Sequence, residues 1–298
     1  MPPKATSDRK RKQAAEVPEA VVSSDDQSNR KARRRSTDAS VSAVASCQTT
    51  EEATVADAAR FNSMESIGKM IQDLFDSDNA KVNAALDTLD LDLSRNKNKC
   101  EKIQAVGGCL ALVQLLKLWL EKAIAIVPAC DQVAELNELA ELTTLKNTLY
   151  VIISLTFQHD ESRDGISAIG GVEAVVKIMK TFPKCQQLQK CAIDTLGNLA
   201  ACGIGKKKVV ESGGIEVLLS AVTNNFNSAS ICENACWVMA NLVCDSNENT
   251  GLLISLGGAT AVAKVRTKWS DNDEVLKWVR ILAKWIGREM NSWADEKA

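Results

Sequence analysis

The side chains that could do covalent chemistry are few and scattered. The one histidine, His159, stands beside Asp160, Glu161 and Arg163 in a polar stretch. A lone loop histidine beside acids reads as a solvated side chain, since no nucleophile-base-orienter set surrounds it. Cys232 and Cys236 share a helix face at i, i+4 and Cys244 follows, but no Cys-x-x-Cys pair or second histidine completes a four-ligand site. Cys185 and Cys191 bracket a loop-to-helix junction and could approach one another. The run Gly203-Ile204-Gly205-Lys206-Lys207-Lys208 lacks the preceding strand and the spacing of a phosphate-binding loop, and reads as a loop whose lysines meet an acidic partner. No catalytic residue, metal site or cofactor is expected.

Composition sets the frame for these residues. Hydrophobic residues make up 45% of 298 and charged ones 25%, which is ordinary soluble-globular usage. Aromatics at 4% and only 15 glycines and 5 prolines argue against a sandwich or barrel and for helices on short connections. No stretch approaches the ~18 apolar residues of a membrane span. Charges at the N-terminus have no apolar run behind them, so no secretory signal is expected. The ten cysteines then read as free thiols in a reducing cytoplasm or nucleus, seven of them inside expected helices as small hydrophobes.

Residues 1–60 contain no Leu, Ile, Phe, Tyr or Trp, too little apolar surface to offset chain ordering, and read as a disordered basic tail. Ten of the 36 Lys/Arg and five of the 38 Asp/Glu fall in residues 1–35, so the tail is positive and the remainder mildly acidic. Two clusters carry that charge: Arg9, Lys10, Arg11 and Lys12, then Arg30, Lys31, Arg33, Arg34 and Arg35. Their spacing resembles a bipartite nuclear-localisation signal, which implies an importin as partner. The same clusters could bind nucleic acid by charge alone, or merely solubilise the chain. Ser36 follows three arginines, as basophilic kinase sites do, and a phosphate there would weaken the second cluster's field.

Beyond the tail the chain is periodic. Glycine pairs stand at 107–108, 170–171, 213–214 and 257–258, spaced by 63, 43 and 44 residues. Periods of about 40–47 residues mark helical repeats. Five positions before each second glycine stand Ile103, Ile166, Val209 and Leu253; four after it stand Leu112, Val175, Leu218 and Val262. Further on, Ala192, Leu196, Asn198 and Leu199 recur as Ala235, Met239, Asn241 and Leu242. Steps of three and four are one helical face, so each unit reads as a short helix, a Gly-Gly corner, a second helix, a polar loop and a longer third helix. Glycine suits the corner because it accepts positive φ.

These residues resemble the armadillo-repeat family. Ile169-Gly170-Gly171-Val172-Glu173-Ala174-Val175-Val176 and Ser212-Gly213-Gly214-Ile215-Glu216-Val217-Leu218-Leu219 look like the family's opening of the second helix. Leu196-Gly197-Asn198-Leu199 and Met239-Ala240-Asn241-Leu242 look like its third-helix signature. The resemblance implies an all-α fold, a right-handed α-solenoid of about four to five repeats over residues 61–290. Within it, 64–95 would form N-terminal cap helices around the interruption Asp76-Ser77-Asp78. Repeats would follow at 103–157, 163–201 and 206–244, with a capping repeat at 250–290 and a short tail at 291–298. About 20 extra residues fall between Trp119 and Leu145, broken by Pro128. Split over both helices of a hairpin, they would lengthen each by ~15 Å, either as added packing or as a partner-binding projection.

In the family, third helices line a concave groove, and importin-α-like members project a Trp and an Asn four residues later from the third helix. The Asn holds a peptide backbone and the Trp packs on basic side chains. Trp237 and Asn241 reproduce that spacing; Asn198 keeps the Asn, but Asp194 replaces the Trp and Ser154 the Asn one unit earlier. The resemblance therefore implies a groove centred on Asn198, Trp237 and Asn241 that binds extended protein segments, with Asp194 and Glu233 favouring basic ones. The other reading of the two asparagines is that they hydrogen-bond between neighbouring repeats. A non-catalytic adaptor is the leading function. A nucleic-acid-associated protein using its basic arm, and a transport adaptor autoinhibited by that arm, are the alternatives.

Overall fold

A corner that needs glycine twice builds this molecule. The first glycine of each pair adopts positive φ: Gly107 at 79°, Gly170 at 90°, Gly213 at 83° and Gly257 at 82°. The second glycine has a different task. A Cβ on Gly171 would stand 2.8 Å from the Ile166 carbonyl oxygen, and one on Gly214 would stand 2.5 Å from that of Val209. The apolar residue five positions back is thus what the second glycine packs on, and side-chain bulk is excluded there by backbone.

The computed structural model describes residues 64–95, 99–126, 139–157, 159–201 and 203–296, and all of them are helix or short connection. The basic clusters from Arg9 to Arg35, Ser36, and Pro128 with its surroundings at 127–138 lie outside the described residues. Fourteen helices are described: α1 Met64–Asp73, α2 Asn79–Arg95, α3 Lys99–Ala105, α4 Gly108–Ile126, α5 Ala140–Thr156, α6 Asp160–Ala168, α7 Gly171–Thr181, α8 Gln186–Leu199, α9 Gly203–Glu211, α10 Gly214–Asn224, α11 Ala229–Val243, α12 Asn247–Ser255, α13 Gly258–Lys268 and α14 Asp273–Glu296. The fold is an α-solenoid. Short helices α3, α6, α9 and α12 turn at the glycines into α4, α7, α10 and α13, with 74° between α3 and α4. The long helices α2, α5, α8, α11 and α14 pack each on the next in one continuous row.

Local chemistry sets the ends. The Asp78 carboxylate accepts the Ala80 N–H at 2.9 Å at the start of α2, and Asn272 accepts the Val275 N–H at 3.1 Å at the start of α14. Ser246 does the same for α12 through Asn249. Such caps satisfy amides that have no intrahelical partner. One unbroken core runs through the stack, from Ile67 and Leu74 through Leu115, Leu149, Ile178, Leu196, Leu218 and Met239 to Leu282 and Ile286.

Three expectations need correction. Residues 203–208 are not a loop but the opening of α9. Lys206 there donates to the Cys244 carbonyl at 2.9 Å and Lys208 to Glu173 at 3.4 Å, so two of the three lysines are engaged between repeats. His159 is not a solvated loop residue; its Nδ1 accepts the Ser162 N–H at 3.2 Å and caps α6. The last helix continues past residue 290 to Glu296. Of the inserted hairpin, α4 reaches 19 residues where α7, α10 and α13 have 11. No single helix among the described residues is long and apolar enough to cross a membrane.

Candidate functional site

The face of the helix row is defined by residues that recur one repeat apart. On α11 the spacing of Glu233, Trp237 and Asn241 puts all three on one side, one turn between each. Trp237 is half-buried. The outer edge of its indole fills the space above Gly197 of α8, and its face meets Trp278 of α14, with centroids 6.4 Å apart and planes tilted by 57°. That geometry suits aromatic pairs, whose electropositive edges favour a neighbour's face. The indole therefore bridges three successive long helices while part of it stays accessible. Asn241, also half-buried, makes no side-chain hydrogen bond to any described residue.

Asn198 occupies the same register in α8 but is only 5% exposed, and its amide is used internally. Nδ2 donates to the Ile153 carbonyl at 3.1 Å and to Thr156 Oγ1 at 3.2 Å, both on α5. Asp194 and Glu233 are likewise held. Asp194 is half-buried and accepts from Asn234 Nδ2 at 2.6 Å, which ties α8 to α11, and Glu233 is buried at 9% exposure. Of the five residues expected in the groove, Trp237 and Asn241 thus come together as an accessible pair. Asn198 is drawn into the joint with the preceding repeat.

Sequence reasoning passed over a polar seam at the other end of the row. Asn83 of α2 donates to Thr144 Oγ1 of α5 at 2.9 Å and accepts from Asn147 at 2.8 Å; Ser154 donates to Asp90. Tyr150, at the register of Trp237 two repeats earlier, has its hydroxyl pushed well above the usual range, first by burial and then by Cys191 and the nearby carboxylates of Asp194 and Asp90. Burial, reinforced by the adjacent Asp90, also raises the Asp87 carboxyl. No signal beyond register could have found this seam, because its residues differ in type at every repeat.

The seven described cysteines are free thiols, all buried except half-exposed Cys244. Burial pushes Cys191 and Cys236 up to about 12, far from the reactive thiolate range. Among the described residues no group of His, Cys, Asp or Glu could hold a metal ion.

The Armadillo/beta-catenin-like repeat family matches residues 205–244, the stretch from α9 to α11. Protein aardvark of Dictyostelium discoideum is 29% identical over 110 residues, which span 33% of this chain and 14% of that protein. The chain thus matches about a seventh of the length of this curated relative. Among solved structures, computationally designed armadillo repeat proteins for modular peptide recognition superpose with a TM-score of 0.59 at 19% identity, over 80% of this chain and 94% of theirs. A designed armadillo repeat protein, YIII(Dq)4CqI, gives 0.50 at 20% identity over 74% and 99%. Register, corner glycines and the long-helix row agree with these likenesses: the fold is an armadillo-type α-solenoid, and residues 205–244 match an Armadillo/beta-catenin-like repeat.

Proposed function

We propose that the chain is a non-catalytic scaffold that holds an extended segment of another protein along the row of long helices, centred on Trp237 and Asn241. The observation that carries this reading is the contrast within one register. Asn198 spends its amide on α5, whereas Asn241, one turn from a half-exposed indole, has no such partner. An amide in that position can both donate to and accept from the backbone of an extended chain, whose own groups are unpaired. The indole offers apolar area and a face that attracts cations.

The test is affinity capture with the full chain and with the W237A/N241A double variant, followed by titration of the captured segments. The proposal expects capture to weaken at least roughly tenfold. Loss of the indole from between three long helices should also lower the thermal midpoint of the double variant, so the single N241A variant, whose midpoint should barely move, carries the same binding loss without that effect. A double variant that melts early and binds normally would overturn the proposal. The basic clusters Arg9–Lys12 and Arg30–Arg35 support a nuclear import signal on the same chain. Fusing residues 1–35 to a fluorescent reporter, with and without those clusters, tests that part separately.

A further inference from the structure

The final long helix repeats the groove positions with the opposite charge. Where α11 places Glu233, Trp237 and Asn241, α14 places Lys277, Ile281 and Trp285, each 44 residues on. Lys277 is exposed, with its ammonium 5.0 Å from the Trp278 ring centroid. Arg280 and Lys284 lie exposed on the adjoining flank, one turn apart. None of these three cations makes an ion pair with a described residue, although Lys81, Lys99, Lys177, Lys207 and Lys208 elsewhere on the molecule all do. Beside them Trp278, Ile281 and Trp285 are half-buried at steps of three and four, and Trp278 continues into Trp237.

We infer that the bound segment carries carboxylates next to a large apolar side chain at the end that lies over α14. The carboxylates meet Lys277 and Lys284, and the apolar group packs on Ile281 and Trp285. This rests on the scaffold reading above and adds the chemistry of one end. Charge complementarity argues for such an occupant: unpaired cations bordering a partly covered apolar stripe match an acidic–apolar stretch. A nucleic-acid backbone fits less well, because its unbroken row of phosphates would run past the three cations towards exposed Asp271, Asp273 and Glu274, whereas a few carboxylates can be confined to Lys277 and Lys284.

The test uses the full chain and short fluorescein-labelled peptides that share a basic half and end in Glu-Leu-Asp-Glu, Gln-Leu-Asn-Gln or Lys-Leu-Lys-Lys. The wild type is expected to bind the acidic end tightest, with a preference that shrinks as salt is raised. The K277E/K284E variant alters two exposed side chains and should keep the wild-type thermal midpoint. It should lose affinity for the acidic peptide by roughly tenfold and favour the lysine-ended one instead. Equal binding of the three peptides, or no effect of charge reversal on a complex that W237A/N241A abolishes, would overturn the inference and leave the scaffold reading in place. Binding indifferent to both variants, or no binding of any peptide, would remove both. Displacement of the acidic peptide by single-stranded oligothymidine would reassign the patch to nucleic acid.

Discussion

A Cβ built on Gly197 would stand 2.6 Å from Cη2 of Trp237. The glycine of one repeat is therefore the seat of the next repeat's indole, and the accessible part of Trp237 is aimed by a residue that no ligand touches. The same register holds Ala240 in α11, which is buried, and Lys284 in α14, which is exposed.

Gly197→Ala should destabilise the protein by about 1–2 kcal/mol, since overpacking against a rigid ring outweighs the ~1 kcal/mol that alanine gains over glycine inside a helix. Urea unfolding measures this. W237F lacks the clashing atoms, so the double variant G197A/W237F should be markedly more stable than the sum of the single effects. Additive effects would show that the two residues do not share this space.

The two asparagines should behave oppositely. Asn198→Ala removes a buried amide that donates to two acceptors on α5 and should cost about 1–3 kcal/mol. Asn241→Ala should change stability by under ~0.5 kcal/mol, as surface substitutions do, while weakening segment capture. Parallel denaturation and binding curves check both. If Asn241→Ala proves the more destabilising, its amide has a structural role that its surroundings do not show.

That contrast also marks how far the amino-acid sequence can be read. Period, corner and helical faces were legible because each has a strict local cause: Gly213 and Gly214 stand together because one needs positive φ and the other has no room for a side chain. The identical Asn198 and Asn241 could not be separated that way. Their roles differ because Thr156 offers a hydroxyl to Asn198, whereas the same position one repeat later is Ala200, which has none. The partner lies about 42 residues away on another helix, and no local pattern announces it. Likewise Lys206 was legible as a cation but not as a donor to the Cys244 carbonyl, since that contact exists only once the repeats stack.

Within a glycine pair the second substitution should be the worse. Gly213→Ala forces an L-residue to φ near +83°, a strain of about 1–2 kcal/mol. Gly214→Ala drives a methyl to 2.5 Å from the Val209 carbonyl oxygen, which belongs to the backbone of α9 and cannot swing aside. The corner itself must open, with a loss above ~2 kcal/mol. Trimming the neighbour in V209A/G214A should not restore stability, because the carbonyl remains. Recovery in that double variant would place the conflict in the valine side chain instead. Thermal melts of the four proteins decide it.

Buried thiols give the fold an alkaline limit. Burial raises Cys191 and Cys236 to about 12 in the folded chain, with Cys232 and Glu233 adding to the effect at Cys236. An unfolded thiol titrates near ~8.5. Because the folded values are the higher ones, their contribution to stability is complete below the unfolded value and is lost as pH rises from about 9 towards 12. Urea midpoints should accordingly fall over that window, and C191A should flatten the fall even if it lowers stability near neutrality. Thiolate absorbance should grow with unfolding rather than before it. Iodoacetamide at mildly alkaline pH should modify half-exposed Cys244 ahead of the six buried thiols among the described residues. Early labelling of Cys191 or Cys236 in the native protein would mean that the α8–α11 joint opens locally, and the rigid seat of Trp237 would have to be abandoned with it.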